Sequence, residues 1–210
     1  MSKLEEISKA VEEGKLKQIE AIVDEAVKDG IQATEILDVM TEAMVVVGEK
    51  FRISEIFVPE MLMSAHTMKK AVEVIQPLLV DNAATSLGTC VIGTITGDLH
   101  DIGKNLVALM IESAGFNVVD LGVDVPAEKF IEAINAHDDC KVVALSCLLT
   151  TTMPALSKSV EGITAAGLRE KVKVIVGGAP ITPEYAKEIG ADGTAEDAAS
   201  AAELAKSIIA

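Results

Sequence analysis

The chain has 210 residues, of which 50% are hydrophobic and only 2% aromatic, and its formal net charge is −15. This length allows one large domain or two modest ones, with a core built mainly from aliphatic side chains. The acidic balance disfavours nucleic acid and anionic membrane surfaces as partners, since both carry negative charge themselves.

The N-terminal segment MSKLEEISKAVEEGK, residues 1–15, is charged and amphipathic, unlike a signal peptide. No apolar run approaches the roughly 20 residues that a membrane-spanning helix needs. The chain has three cysteines but no Cys-x-x-Cys pair, which argues against a disulfide scaffold and a zinc ribbon. We therefore expect a reduced, cytoplasmic protein.

Up to about residue 79, hydrophobic side chains recur every three to four positions, which predicts four short amphipathic helices. Gly30 is expected to end the second helix, Thr34 to cap the third, and Pro59 to lie in the first turn of the fourth. Five of the eight methionines fall at residues 40–68, where they suit either a movable cover or the filling of core gaps. We expect a small four-helix bundle at residues 1–82.

The polar stretch DNAATSLG, residues 81–88, predicts a linker, which we place at 83–88. Beyond it, residues 89–210 alternate apolar, β-branched runs with helical patterns, which predicts an α/β domain. Five strands in a parallel sheet, with helices on both faces, give a Rossmann-like (flavodoxin-like) fold with strand order 2-1-3-4-5.

The stretch TGDLHDIGKNLV, residues 96–107, follows the first predicted strand and opens a helix. It places Asp98 and His100 two positions apart between glycines. In sheets with this strand order, ligands bind at the carboxyl ends of the strands, between the first and third strands. The loop SCLLTTTMP, residues 146–154, and the glycine pair 177–178 end the third and fourth strands, so we expect both to converge with Asp98 and His100.

A neutral imidazole is a good ligand for a transition metal, and a carboxylate on its second nitrogen fixes the tautomer. Asp98 is suited to that role beside His100, but one histidine is too few for a zinc site. Plainer interpretations stay open at this point. His100 fits a surface or capping residue, the hydroxyls of SCLLTTT fit caps of the next helix, and the glycine pair fits a turn.

These residues also resemble a known signature. Corrinoid (cobalamin-binding) proteins of methyltransferase systems carry Asp-x-His-x-x-Gly, then Ser-x-Leu, then Gly-Gly, and the chain has these in order at residues 98–103, 146–148 and 177–178. The stretch VGEKFRISEIFVPEMLMSAHTMKKAVEVIQPLL, residues 47–79, resembles the four-helix cap of the same family. Over nearly its whole length the chain is similar to methanol, methylamine and betaine corrinoid proteins, and to the cobalamin module of methionine synthase.

The resemblance implies a role for each matching residue. His100 would be the lower axial ligand of cobalt in a base-off/His-on cobalamin or related corrinoid, Asp98 would hydrogen-bond it, and Thr152 would continue the relay where the family often has Ser. The helical cap would cover the methyl-bearing face of the corrin. Further cofactor contacts would come from Gly97, Asp101, Ile102, Gly103, Ser146, Leu148, Thr150, Gly177 and Gly178, and from Phe57, Met61 and Leu62 in the cap.

The implied function is that of a corrinoid methyl carrier, which is not catalytic alone but is one subunit of a multi-component system. Such a protein accepts a methyl group from a substrate-specific methyltransferase, holds it as methylcobalamin, and passes it to a second methyltransferase with a tetrahydrofolate or thiol acceptor. A reductive activase is a further expected partner. Methanol, methylamines, betaines and aryl methyl ethers all stay open as methyl donors.

Other classes of protein share parts of this pattern. Cobalamin-dependent sensors and regulators combine the same cap and cobalamin domain with a DNA-binding or effector segment, for which these residues offer no candidate. A flavodoxin-like FMN or phospho-receiver module would lack the Asp-x-His-x-x-Gly motif and the cap. Cobalamin-dependent mutases share the motif but need a barrel partner.

Overall fold

The computed structural model describes residues 2–79 and 86–209. They form two compact units, one made mainly of the residues before 80 and one mainly of the residues after 86. Of the linker predicted at 83–88, residues 83–85 lie outside the described part of the chain. No helix within the described ranges is long and apolar enough to cross a membrane.

The first unit is helical, as the hydrophobic periodicity predicts. Its helices are α1 Lys3–Glu12, α2 Ile19–Lys28, α3 Ala33–Arg52 and α4 Val58–Leu79. Gly30 adopts a φ of +85° just after α2, a left-handed conformation that favours glycine at the end of a helix. Pro59 lies in the first turn of α4, where its missing N–H leaves no helical bond unmade.

The start of α3 differs from the prediction. Gln32, not Thr34, is the N-cap residue, and it forms a capping box with Glu35, whose carboxylate accepts the Gln32 N–H at 3.1 Å. The helix therefore begins before Thr34, which lies inside the first turn. The Glu35 carboxylate satisfies the Gln32 N–H, a backbone donor at the helix start that would lack this partner if Thr34 were the cap.

Burial explains most of the methionines of the helical unit. Met40, Met44, Met61 and Met68 are buried, whereas Met63 is exposed. Methionine fills irregular gaps in a core because its side chain is flexible and polarisable. For the four buried residues, the plain interpretation as core side chains is the one that the structure supports.

The second unit is an α/β fold, and its strand order β2-β1-β3-β4-β5 confirms the prediction. All strand pairs in this sheet are parallel. Its elements are β1 Thr89–Thr94, α5 Ile102–Ser113, β2 Asn117–Asp120, α6 Ala127–Ala136, β3 Cys140–Ser146, α7 Met153–Ala165, β4 Lys173–Gly177, α8 Pro183–Glu188, β5 Gly193–Thr194 and α9 Ala198–Ser207.

The carboxyl ends of the central strands of this sheet determine where the loops of the site begin. Every residue of β1 is buried, because strands flank it on both sides and helices cover the sheet. The last residues of three neighbouring strands pair in register, Thr94 with Ser146 and Ser146 with Gly177. The loops that follow β1, β3 and β4 therefore start side by side.

Candidate functional site

The loop between β1 and α5 turns sharply at Gly97. This glycine has a φ of +83°, and the Asp98 N–H donates to the Ile95 carbonyl at 3.2 Å, which closes the turn. The turn directs the Asp98 side chain into the protein, where it is fully buried, while the His100 side chain stays 52% exposed. A buried carboxylate thus lies directly beneath an accessible imidazole.

Four hydrogen-bond donors surround the Asp98 carboxylate. Its Oδ1 accepts the His100 N–H at 3.0 Å and lies 2.6 Å from Nδ1 of the same residue. Its Oδ2 accepts the Leu148 N–H at 2.7 Å and the Thr152 hydroxyl at 3.3 Å. The first and third strand-end loops therefore meet at one carboxylate, and the polar group is satisfied despite its burial.

These contacts determine the protonation of the pair. Burial alone would raise the pKa of Asp98, but hydrogen bonds from the His100 and Leu148 main chain and the His100 ring outweigh it and hold the pKa at about 2. An ionised carboxylate can only accept hydrogen bonds, so Nδ1 of His100 carries the hydrogen. In the neutral ring the lone pair then belongs to Nε2, the nitrogen with which a metal can be bound.

Thr152 links Asp98 to the start of α7. Its hydroxyl has one hydrogen and two possible acceptors, the Leu149 carbonyl at 2.9 Å and Asp98 Oδ2 at 3.3 Å. The buried thiol of Cys147 lies 3.4 Å from the same hydroxyl. The contact with Asp98 is the longer of the two, so the relay through Thr152 is looser than the Asp98–His100 pair.

Two residues that the sequence analysis missed brace this loop. Asp124 accepts the Gly97 N–H at 2.7 Å, and its own N–H donates to the Asp98 carbonyl at 3.0 Å. Thr94 donates its hydroxyl to the His100 carbonyl at 2.9 Å. Threonine at a strand end and aspartate in a turn are common, so neither position carried a recognisable signal.

Lys104 anchors the first turn of α5. Its side chain is buried, and its ammonium contacts the Asp120 carboxylate and the Asn105 side-chain oxygen. Asp120 is the last residue of β2. A buried lysine needs such a partner because an unpaired charge would be strongly destabilising. This contact fixes the helix that follows His100 against the neighbouring strand.

The glycines of the signature differ in whether the fold requires glycine at their position. A Cβ on Gly178 would lie 1.8 Å from the Cys147 carbonyl oxygen, and its φ is +132°, so the fold itself requires glycine there. A Cβ on Gly103 or Gly177 would meet nothing within 4 Å, and neither has a positive φ. Side chains would fit at these two positions, so packing among the described residues does not require glycine there.

Large apolar side chains are exposed in the chain next to His100 and in the loop after β3. Leu99 is 71% exposed and Ile102 is 78% exposed, and both Leu148 and Leu149 are also exposed. Large apolar side chains clustered at the surface indicate a ligand or a partner, since isolated exposed ones are ordinary but grouped ones are not. Leu99 belongs to the loop after β1, Ile102 is the first residue of α5, and Leu148 and Leu149 belong to the loop after β3.

The remaining predicted residues differ in their contacts and exposure. Asp101 accepts a hydrogen bond from the Asn105 side chain at 3.3 Å, Ser146 is half-buried at the end of β3, and Thr150 is exposed. In the helical unit Phe57 is 64% exposed, whereas Met61 is 1% exposed and Leu62 half-buried. Of these three, Phe57 presents the most surface to a ligand.

The donor atoms fit a metal that brings most of its own ligands. Within residues 2–79 and 86–209 no group of three or more His, Cys, Asp and Glu side chains is placed to hold a metal ion. His100 offers one accessible nitrogen with a fixed tautomer. A planar macrocycle with a bound metal, lying on apolar side chains and extending past open glycines, matches this arrangement.

Comparison with known families and relatives agrees with this geometry. The B12 binding domain family matches residues 88–203, and a second family of the same description matches residues 3–76. The trimethylamine corrinoid protein of Methanosarcina barkeri is 42% identical over 193 residues, 90% of this chain and 88% of that protein. Dimethylamine corrinoid protein 1 of Methanosarcina acetivorans is 39% identical over 209 residues, 99% and 97% of the two chains.

Solved structures of similar fold belong to cobalamin-related proteins as well. A cobalamin-binding protein from Desulfitobacterium hafniense superposes with a TM-score of 0.82 at 29% identity, covering 97% of each chain. A chain of the methanol:cobalamin methyltransferase complex MtaBC from Methanosarcina barkeri also reaches 0.82, at 30% identity over 97% of this chain and 78% of that one.

Proposed function

The chain belongs to the B12-binding corrinoid proteins of methyltransferase systems, and from this premise we propose that it is a methyl carrier with His100 as the axial ligand of its cobalt. The observation that carries this proposal is the contact of 2.6 Å between His100 Nδ1 and the buried Asp98 carboxylate. It leaves Nε2 as the nitrogen with the lone pair, on a side chain that is 52% exposed. The corrinoid is proposed to bind base-off/His-on.

When bound, the corrinoid supplies a cobalt that takes up and gives away a methyl group, with methylcobalamin as the loaded form. The protein's own residues hold it and control one proton. Nε2 of His100 either binds the metal or takes a proton from solvent, and the ionised Asp98 stabilises the resulting imidazolium. Thr152 adds a hydroxyl contact to the same carboxylate and so extends the relay.

The other predicted residues belong to the same proposal. Gly103 and Gly177 would leave room for the nucleotide tail of the cofactor, and Ser146 and Thr150 would contact that tail. The helical domain at residues 1–82 serves as the cap of the cobalamin-binding domain at residues 89–210. The exposed Phe57 supports a cap contact with the corrin, while the burial of Met61 gives that residue less surface to offer.

The partners follow from the carrier role. We propose a substrate-specific methyltransferase as methyl donor, a second methyltransferase that delivers to tetrahydrofolate or a thiol, and a reductive activase. Two of the relatives above are named for trimethylamine and dimethylamine. We therefore place methylated amines first among the donors, ahead of methanol, betaines and aryl methyl ethers.

Transfer of a labelled methyl group tests the proposal. Protein loaded with hydroxocobalamin and reduced to Co(I) is mixed with a carbon-13-labelled methylamine and a methyltransferase that acts on it, and NMR detects methyl on cobalt. We expect labelling of the wild type, with a slower or smaller yield for His100→Ala. A wild type that retains the corrinoid but takes no label from any of the four donor classes would contradict the carrier role.

A further inference from the structure

Thr94 ends β1 with a buried hydroxyl that reaches the main chain of His100. Its Oγ1 donates to the His100 carbonyl oxygen at 2.9 Å, and the residue is fully buried. We propose that Thr94 is a positioning residue for His100: its hydroxyl fixes the main chain of the axial ligand, while Asp98 fixes the ring. This inference rests on the proposed function, because it assumes that the position of His100 matters for cobalt binding.

Thr94 is itself held rigidly. Its N–H donates to the Gly122 carbonyl at 2.9 Å, and its carbonyl accepts the Val125 N–H at 2.9 Å. On the other side it pairs in register with Ser146 of β3. An anchor held by β3 on one side and by the segment after β2 on the other gives a fixed position to whatever its side chain binds.

His100 needs an anchor because packing cannot supply one. Its side chain is 52% exposed, and it lies in the loop between the end of β1 and the start of α5. Three contacts instead hold it, since Asp98 accepts from both its N–H and Nδ1, and Thr94 donates to its carbonyl. Both polar groups of its main chain are therefore tied by side chains to the sheet edge.

The distances indicate that the carbonyl contact complements the Asp98 contact. The Asp98 contacts hold the N–H and the ring of His100 but not its carbonyl, and a turn of the following peptide would shift the main chain and redirect the ring. With the carbonyl fixed at 2.9 Å, the ring has only its own torsions left, and the Asp98 carboxylate sets those. Residues that orient a metal ligand through hydrogen bonds typically change metal affinity or activity by about 10- to 100-fold when removed.

The competing explanation is that the bond to the His100 carbonyl only gives the buried Thr94 hydroxyl an acceptor and has no effect on the site. Two substitutions separate the explanations. Thr94→Val keeps the shape and loses the hydroxyl, whereas Thr94→Ser keeps the hydroxyl and loses a buried methyl group. A structural role predicts that Ser, which leaves a cavity, disturbs the site at least as much as Val. A positioning role predicts that the site responds to Val and tolerates Ser.

The experiment measures the ring tautomer of His100 in the apo-protein and the affinity of the protein for the corrinoid. Nitrogen-15 NMR of the apo-protein reports whether Nδ1 carries the hydrogen, and titration with hydroxocobalamin gives the Kd of the corrinoid. We expect Thr94→Ser to keep the Nδ1–H form and a Kd close to that of the wild type, despite a lower free energy of unfolding. We expect Thr94→Val to show averaged ring tautomers and corrinoid binding about 10-fold weaker.

Wild-type behaviour of Thr94→Val in both readouts would overturn the inference, as would equal losses in Val and Ser. If Thr94→Val folds poorly, Thr94→Ala removes the hydroxyl without crowding and decides the same question. The NMR readout needs no cofactor. If the wild type binds corrinoid with the cofactor's own base on cobalt, the proposed function fails, yet the NMR result still decides whether Thr94 positions His100.

Discussion

In the helical unit charged side chains pair at the surface, whereas in the α/β unit two charged side chains are buried within one short stretch. Lys3 and Glu25 meet at 2.5 Å with both side chains partly exposed. Asp98 and Lys104, the charged residues that are buried in the described ranges, both lie between residues 98 and 104, shortly after β1. Surface pairs contribute little to stability, while a buried charge needs full compensation.

This difference separates residues that serve solubility from residues that serve a site. The helical unit buries hydroxyls whose acceptors are main-chain carbonyls, such as Thr67 with Met63 and Ser64 with Glu12. The α/β unit buries a carboxylate with four donors under an exposed imidazole. A perturbed, buried ionisable group beside an open surface is typical of functional sites.

The largest effect is expected at Gly178. Gly178→Ala places a Cβ 1.8 Å from the Cys147 carbonyl, so the loops after β3 and β4 must separate. We expect a loss of more than about 3 kcal/mol in the free energy of unfolding of the apo-protein. In the helical unit Gly30→Ala has a positive φ of +85° but no atom within 4 Å, so only about 1 kcal/mol of backbone strain is expected.

Urea unfolding of the two variants measures this difference between the units. A Gly178→Ala protein as stable as Gly30→Ala would show that the β3 and β4 loops can move apart freely, and it would remove the structural reason for this glycine.

Asp98 gives the next largest effect, and it depends on pH. Asp98→Asn replaces one acceptor oxygen by an NH2 group, which then faces either the N–H and ring of His100 or the Leu148 N–H and the Thr152 hydroxyl. This change is expected to lower stability at neutral pH by about 2–4 kcal/mol. Glu25→Gln in the helical unit is expected to have a much smaller effect on stability, because its pair with Lys3 is solvent-exposed.

The pH dependence has a definite sign. The pKa of Asp98 is about 2 in the folded protein, below its ordinary value of 3.8, so the folded state binds fewer protons between these values. The stability that the ionised carboxylate contributes is complete above about pH 4 and is lost as the pH falls toward about 2. Acid titration of unfolding should therefore bring wild type and Asp98→Asn together at low pH. A gap that stays constant down to pH 2 would contradict the hydrogen-bonded carboxylate.

Smaller effects on stability are expected at two residues with a left-handed backbone conformation, one in each unit. Asp124 has a φ of 55° in the α/β unit and Ser54 a φ of 60° in the helical unit. Ser54→Gly relieves strain and is expected to raise stability by about 0.5 kcal/mol. Asp124→Gly also relieves strain but loses the bond to the Gly97 N–H, so a net loss of about 0.5–1 kcal/mol is expected.

Thermal unfolding of these two glycine variants reports the sign directly. If both variants gain stability, Asp124 does not brace the Gly97 turn. Asp124→Asn, which keeps an acceptor and tolerates the left-handed region, is the control that should stay close to the wild type.

The smallest effect on stability is expected at Gly103. A Cβ there meets nothing within 4 Å, so Gly103→Ala should leave the free energy of unfolding unchanged within about 0.5 kcal/mol. Corrinoid binding is expected to weaken, because the open space that the tail would use is filled. Titration with hydroxocobalamin measures this, and unchanged affinity would argue against a tail beside Gly103.

The sequence was sufficient for the strand order and for the meeting of three loops, because parallel strands bring their carboxyl ends to one edge. It failed where side chains compete locally. Gln32 caps α3 because Glu35 lies three positions on. Thr94 and Asp124 could not be found either, since their importance depends on which main-chain atoms they reach.

Electron paramagnetic resonance of the Co(II) form tests the central claim, that His100 holds the metal. Nitrogen-15-labelled protein is loaded with unlabelled cobalamin and reduced, so that the axial nitrogen reveals its origin. A nitrogen-15 ligand splits each line in two and a nitrogen-14 ligand splits it in three. We predict two-line splitting that disappears in His100→Ala. Three-line splitting in the wild type would place the cofactor's own base on cobalt and contradict the account.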